Sequence, residues 1–195
     1  MKNKKIFFTS IFIFLMTFLF IKSSFVLADE EVIIGEKNLI TFVKNHKRPT
    51  TVYKLTILNL KELPKEIGLL YNLRVLNISE NQIKSLPKEL GNLKNLIELD
   101  LSENQISEFP KVLFELPNLR ELKLGYNKIH KIPENIKELS KLEKLDLSAN
   151  RLNTIPKEIA ELNNLKEIDL SNNLLSQKER KELEKLFYGN IKTNF

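Results

Sequence analysis

The chain contains no cysteine and no tryptophan, and only five glycines and two histidines among its 195 residues. Without cysteine it can form neither a disulfide framework nor a thiolate metal site. His46 and His130 stand far apart in sequence, so a zinc centre would have to rest mainly on carboxylates, an unpromising ligand set for that ion. There is no Gly-rich phosphate loop, no nucleophile elbow and no metal-binding helix motif. Catalytic, cofactor-binding and metal-ligating residues are therefore not expected, and neither is a cofactor. Hydrophobic residues make up 42% and charged residues 29%, which excludes the disordered class.

Residues 1–28 read as a secretory signal peptide. MKNKK gives a positive start, and Ile6 to Ile21 is apolar except for Thr9, Ser10 and Thr17. KSSFVLA then puts Val26 and Ala28 at the −3 and −1 positions of a cleavage site before Asp29. The alternative is an uncleaved anchor, the one way this chain would engage a membrane, but the apolar run falls short of the roughly 20 residues that span a bilayer. With no cysteine at the cleavage site, a lipoprotein anchor is excluded. The formal net charge is +6; the segment carries Lys2, Lys4, Lys5 and Lys22 and no acid, so its removal leaves +2. The basic balance thus belongs largely to the leader and does not point to nucleic acid. The expected destination is the periplasm, the cell surface or the medium.

Asn81, Asn104, Asn127, Asn150 and Asn173 recur every 23 residues. Aligned on them, the chain reads LRVLNISENQIKSLP, LIELDLSENQISEFP, LRELKLGYNKIHKIP, LEKLDLSANRLNTIP and LKEIDLSNNLLSQKE. An irregular copy precedes these, with Leu58 aligned to the asparagine. The pairs Leu76/Ile78, Leu99/Leu101, Leu122/Leu124, Leu145/Leu147 and Ile168/Leu170 are two residues apart and share one strand face. A strand this short buries its apolar side only by stacking on the next copy, which predicts a parallel sheet. The asparagines stand where the chain leaves the strand and backbone groups lose their ladder partners; an amide supplies donors and an acceptor there, so these five are read as structural. A Leu-Pro, Ile-Pro or Phe-Pro step closes each return side, ahead of a short helical or 3₁₀ turn.

The pattern LxxLxLxxNxLxxLP, with intervening halves such as KELGNLKN and KEIAELNN, resembles the leucine-rich repeat family over roughly residues 50–175. The resemblance implies an α/β solenoid, a right-handed horseshoe with its parallel sheet on the concave face and helical caps at both ends. It also implies recognition of a protein or peptide, with a host partner suggested by pathogen members of the family. The expected organisation is a signal peptide (1–28), an N-terminal extension and cap helix (29–49), six repeats (50–175), and a C-terminal cap helix and tail (176–195). KNLITFVKNH is the candidate N-terminal helix. For the C-terminal one, Ser176 and Glu179 have capping-box spacing, and Leu183, Leu186 and Phe187 are assigned to its apolar face.

The outward strand positions form columns across the sheet. Glu98, Asp100 and Glu121 lie close enough to be weighed as a carboxylate pair, but an open sheet is wet and offers little to perturb them. The candidate partner-binding patch is Glu98, Asp100, Glu121, Lys123, Tyr126, Lys144 and Asp146, centred where Gly125-Tyr126 replaces the usual Ser-Glu or Ser-Ala. The competing readings are a solubilising face on a structural envelope component and, remotely, a hydrolase using concave carboxylates. Six strands about 4.8 Å apart give a small sheet, so a peptide, loop or helix suits it better than a broad surface, and a monomer is expected.

Overall fold

The computed structural model describes residues 31–35, 41, 54–187 and 191–195. The signal peptide (1–28) and nearly all of the candidate N-terminal helix lie outside the described residues. The described chain forms one eight-stranded parallel sheet in sequence order: β1 (Glu31–Gly35), β2 (Lys54–Leu58), β3 (Val75–Asn77), β4 (Glu98–Asp100), β5 (Glu121–Lys123), β6 (Lys144–Asp146), β7 (Glu167–Asp169) and β8 (Lys192–Asn194). Alternation decides which side is inside. In β4, Glu98 is exposed, Leu99 buried and Asp100 half-buried, and β6 repeats the pattern with Lys144, Leu145 and Asp146.

Opposite the sheet run, among the described residues, five 3₁₀ turns: Lys65–Leu69, Lys88–Asn92, Lys111–Glu115, Glu134–Glu138 and Lys157–Glu161. Each follows a proline at its N-cap, where the missing N–H is not needed and the fixed φ suits entry. The proline carbonyl accepts the first turn bond, from Ile67, Leu90, Leu113, Ile136 or Ile159, at 3.0–3.1 Å. These five side chains are fully buried and merge with the inward strand residues into one core running from Ile34 to Phe187.

A second ladder of amides runs along the return side. Asn95, Asn118 and Asn164 each donate to a carbonyl of the preceding coil (Tyr71, Lys94 and Ser140) at 2.7–2.9 Å. Lys141 occupies the fourth place and donates instead to the Asn118 side chain at 2.6 Å.

The first coil corrects the sequence alignment. Lys54 pairs with Val75 and Thr56 with Asn77, an offset of 21 residues. Past the turn the offset is 23, because Leu60 and Ile83 each donate N–H to the asparagine Oδ1 of the following coil. The first turn is thus two residues shorter, and it is the asparagine position that is missing. Leu58 is not at that position but is exposed beside the turn, and Lys54 stands next to Val75 on the outer face.

At the C-terminus a helix spans Gln177–Leu186, with Ser176 Oγ accepting the Glu179 N–H at 3.1 Å. Leu183 and Phe187 are buried, but Leu186 is 43% exposed and belongs to the outer side, correcting its assignment to the apolar face. Only one half of a reciprocal box is present: Glu179 Oε1 accepts the Ile155 N–H at 3.0 Å and ties the helix to the preceding coil.

Close approach of two coils explains one glycine. A Cβ at Gly68 would lie 2.5 Å from the backbone oxygen of Glu89, whereas the nearest atoms to one at Gly91 belong to the Glu115 side chain, whose carboxylate end can swing away. Gly68→Ala is expected to cost about 2 kcal/mol, and Gly91→Ala under about 1 kcal/mol, in urea denaturation. Equal costs would show that backbone proximity does not select this glycine.

Candidate protein-binding face

The five strand-exit asparagines are 6–9% exposed. Asn127 is representative: its Oδ1 accepts the Ile106 N–H at 2.9 Å, and its Nδ2 donates to Leu101, Leu124 and Gly125 oxygens at 2.9, 3.1 and 3.2 Å. Asn81, Asn104, Asn150 and Asn173 make equivalent sets. No buried side-chain nitrogen or oxygen among the described residues lacks a partner. This framework fixes the pitch of the coils and so the spacing of everything on the outer sheet face.

Pairing places Val75, Glu98, Glu121, Lys144, Glu167 and Lys192 side by side in one column, and Asn77, Asp100, Lys123, Asp146, Asp169 and Asn194 in the next. In the second column the aspartates have a local task. Asp100 Oδ1 accepts from the N–H and hydroxyl of Ser102 at 3.0 and 2.5 Å, and Asp169 does the same for Ser171. Asp146 takes the Ser148 N–H at 2.8 Å. Each is a turn in which a short carboxylate mimics a carbonyl.

The β5 coil departs at both places at once. Lys123 cannot accept such a bond, and Gly125 replaces the serine that would make it. The exchange sets a cation between Asp100 and Asp146 in a column otherwise acidic from Asp100 to Asp169. Lys123 Nζ lies 3.1 Å from Glu121 and 3.8 Å from Asp100, and Lys144 reaches Glu121 at 3.4 Å. Partial burial pushes the Glu121 carboxyl up, but the hydrogen bonds and attraction of Lys123 and Lys144 outweigh it and hold the group below the usual carboxylate value. Burial likewise opposes charge on Lys123, and Glu121, Asp100 and Glu98 outweigh it, raising the ammonium. A carboxyl held low and an amine held high are fixed charges near neutrality, unsuited to proton exchange.

Past each of β2 to β7 the chain turns through a left-handed residue: Asn59, Glu80, Glu103, Tyr126, Ala149 and Asn172, with φ of 50–61°. Asparagine accommodates this; the others hold it at about 1 kcal/mol each. Tyr126 is 63% exposed on this ledge. Of the sequence-selected patch, Glu98, Glu121, Lys123 and Lys144 form one contiguous charged array with Asp100. Asp146 adjoins Lys123 across the next strand, and Tyr126 stands at the rim. The opposite rim carries a clamp absent from that selection, in which Glu143 bridges Arg120 (2.7 Å) and Lys166. The hydrogen bond from Lys166 is foremost in holding the Glu143 carboxyl low. Its signal was a charge alternation at 23-residue spacing one position ahead of the strand.

Among the described residues no helix is long and apolar enough to cross a membrane, and no three histidines or carboxylates come together as metal ligands. A family model described as a leucine-rich repeat region matches residues 54–190. No curated protein matches the sequence significantly. Among solved structures, the chain is similar to a leucine-rich-repeat protein of Leptospira interrogans, with 40% identity and a TM-score of 0.66 over 73% of this chain and 36% of the other. It is also similar to an internalin of Listeria monocytogenes, with 28% identity and a TM-score of 0.64 over 74% of this chain and 41% of the other. A plant peptide hormone receptor, RGFR1 in complex with RGF2, matches at 34% identity and a TM-score of 0.54, over 64% of this chain and 22% of the other. The chain spans well under half the length of each.

Proposed function

Because the chain belongs to the leucine-rich repeat family, we propose that it is an exported, non-enzymatic module that binds a protein or peptide through the outer, concave face of its sheet. The observation that carries this reading is the face itself. Strands β2 to β8 present exposed and half-buried charged side chains side by side, with a 63%-exposed tyrosine on the ledge beside them. An aromatic body with a hydroxyl handle is the kind of side chain that anchors interfaces. Glu98, Asp100, Glu121, Lys123, Tyr126, Lys144 and Asp146 are the proposed contact patch. The plant receptor is in complex with RGF2 in its solved structure, which supports a peptide or protein as the ligand class; a host partner is the reading that the family resemblance suggests. The leader-like residues 1–28 support export.

Site-specific photo-cross-linking tests the reading. A benzophenone residue at position 126 is expected to give a discrete adduct with one partner; the same residue at Lys137, on the return side, is expected to give none. Adducts from 137 alone would overturn the concave assignment. Mass spectrometry of the cell-associated and released protein should find an N-terminus at Asp29; a chain retaining residues 1–28 and recovered only from the cytosol would defeat the export reading.

A further inference from the structure

We propose that Asp146 and Ser148, beside Gly125, form a seat for a neutral carboxamide, the side chain of an asparagine or glutamine of the partner. The inference rests on the binding role above and names the chemistry of one contact within that face.

The turn after β6 differs from its equivalents. In the coils of β4 and β7 the serine hydroxyl folds back onto its own aspartate, Ser102 to Asp100 at 2.5 Å and Ser171 to Asp169 at 2.6 Å. Ser148 gives Asp146 only its N–H. Its hydroxyl has no hydrogen bond among the described residues, although Ser148 is only 9% exposed. That hydroxyl is turned across to the preceding coil: a Cβ at Gly125 would lie 2.9 Å from Ser148 Oγ and 2.9 Å from Asp146 Oδ2. A side chain at 125 would crowd both oxygens, and glycine leaves them room. A hydroxyl on a buried residue costs stability unless water or a ligand satisfies it.

The second oxygen of the column aspartates turns to the following strand. Asp169 Oδ2 accepts the Asn194 amide at 2.9 Å, and Asp100 Oδ2 lies 3.8 Å from the Lys123 ammonium. For Asp146 the following strand offers Asp169, whose carboxylate has no proton to donate. Asp146 Oδ2 therefore has no donor among the described residues. Asn194 on Asp169 shows, within this chain, which group suits such an oxygen. Charge points the same way. Asp146 lies between Lys123 on one strand and Asp169 on the other, so the surroundings favour neither a further cation nor an anion. A primary amide donates N–H to Asp146 Oδ2 and accepts the Ser148 hydroxyl at its oxygen, which satisfies both groups together. Tyr126, next in the chain and exposed, borders the approach.

Amide NMR of the purified, isotope-labelled chain tests this with the peptide Gly-Gly-Asn-Gly-Gly, and with Asp, Leu or Lys at its centre as controls. The asparagine peptide should move the Gly125 and Ser148 signals saturably, and the controls should bind at least about fivefold more weakly. Asp146→Asn keeps an acceptor for the Ser148 N–H but places a donor where Oδ2 stands, and should weaken the asparagine peptide about tenfold. Ser148→Ala should weaken it about fivefold. Ser102→Ala, which removes a hydroxyl already bonded to Asp100, should leave it within about twofold. Absence of a saturable shift, equal binding of the four peptides, or equal losses from Ser148→Ala and Ser102→Ala would each overturn the proposal. If position 126 still cross-links a partner in those cases, the concave reading stands and only the carboxamide seat is lost.

Discussion

Asn127→Ala is expected to lower unfolding stability by about 3–5 kcal/mol, seen as a shift of roughly 10 °C in the thermal midpoint. The reason is arithmetic of partners, since the side chain makes four bonds in a buried site. Its removal leaves the Ile106 N–H without its acceptor and takes a donor from the Leu101, Leu124 and Gly125 carbonyls. The residue is 8% exposed, so solvent does not replace the amide without opening the coil. Asn127→Asp should be no better: it keeps an acceptor for Ile106 but turns a carboxylate oxygen toward three carbonyl oxygens. Asn118→Ala is the internal control, because Asn118 is only half-buried and its two bonds, to the Lys94 carbonyl and from Lys141, lie at the surface where water can replace them; it should cost under about 1 kcal/mol. If the two alanine variants unfold alike, the buried ladder is not what holds the coils in register.

These two ladders also show what the sequence reveals and what it hides. The strand-exit asparagines are legible because one residue type at one period has only one economical explanation, the pairing of buried backbone at a turn. The inward leucines are legible for the same reason of period. The first coil was misregistered because its turn lacks two residues, including the asparagine on which the alignment was anchored. Apolar spacing alone does not say whether Leu58 or Leu60 takes the inner place, and it is Leu60 that is buried. β1 escaped notice because EVIIG carries neither the leucine spacing nor the asparagine. It is a strand because the parallel edge of β2 accepts it, with Glu31 beside Lys54. Leu186 was placed on the apolar face by spacing, but a ten-residue helix lying against the last coil buries only a narrow stripe, the one through Leu183 and Phe187.

For the candidate face, sequence identified the columns but not which members are already engaged. That Asp100, Asp146 and Asp169 each commit one oxygen to a following serine depends on turn geometry. That Lys123 and Gly125 occur together is consistent with it: beside a lysine, which cannot accept, a serine hydroxyl at 125 would have no local partner. The same reasoning separates Glu98 and Glu103, which have no ion pair among the described residues, from Glu121, which has two. Letter frequency in a column does not make that distinction; distances do.

Leu124→Ala is the other substitution expected to have a large effect, about 3–4 kcal/mol. Leu124 is fully buried, directly after β5, and occupies the same place in its coil as Leu101 and Leu147, which are also fully buried. The three coils are bonded in series beside it: Leu101 N–H donates to the Lys123 oxygen, and Leu124 N–H to the Asp146 oxygen. A cavity there has little freedom to collapse, because closing it would require the coils to approach closer than the asparagine ladder allows. In a linear stack each coil is supported only by its neighbours, so a defect at the centre weakens two interfaces while one at the end weakens one. Leu183→Ala, in the C-terminal helix, should therefore cost less than Leu124→Ala although both side chains are buried, and Leu186→Ala should cost almost nothing. The central defect should also separate the unfolding of the two halves, with the urea transition of Leu124→Ala becoming broader than that of the parent. A sharp, unshifted transition for Leu124→Ala would mean that the coils do not share one continuous core.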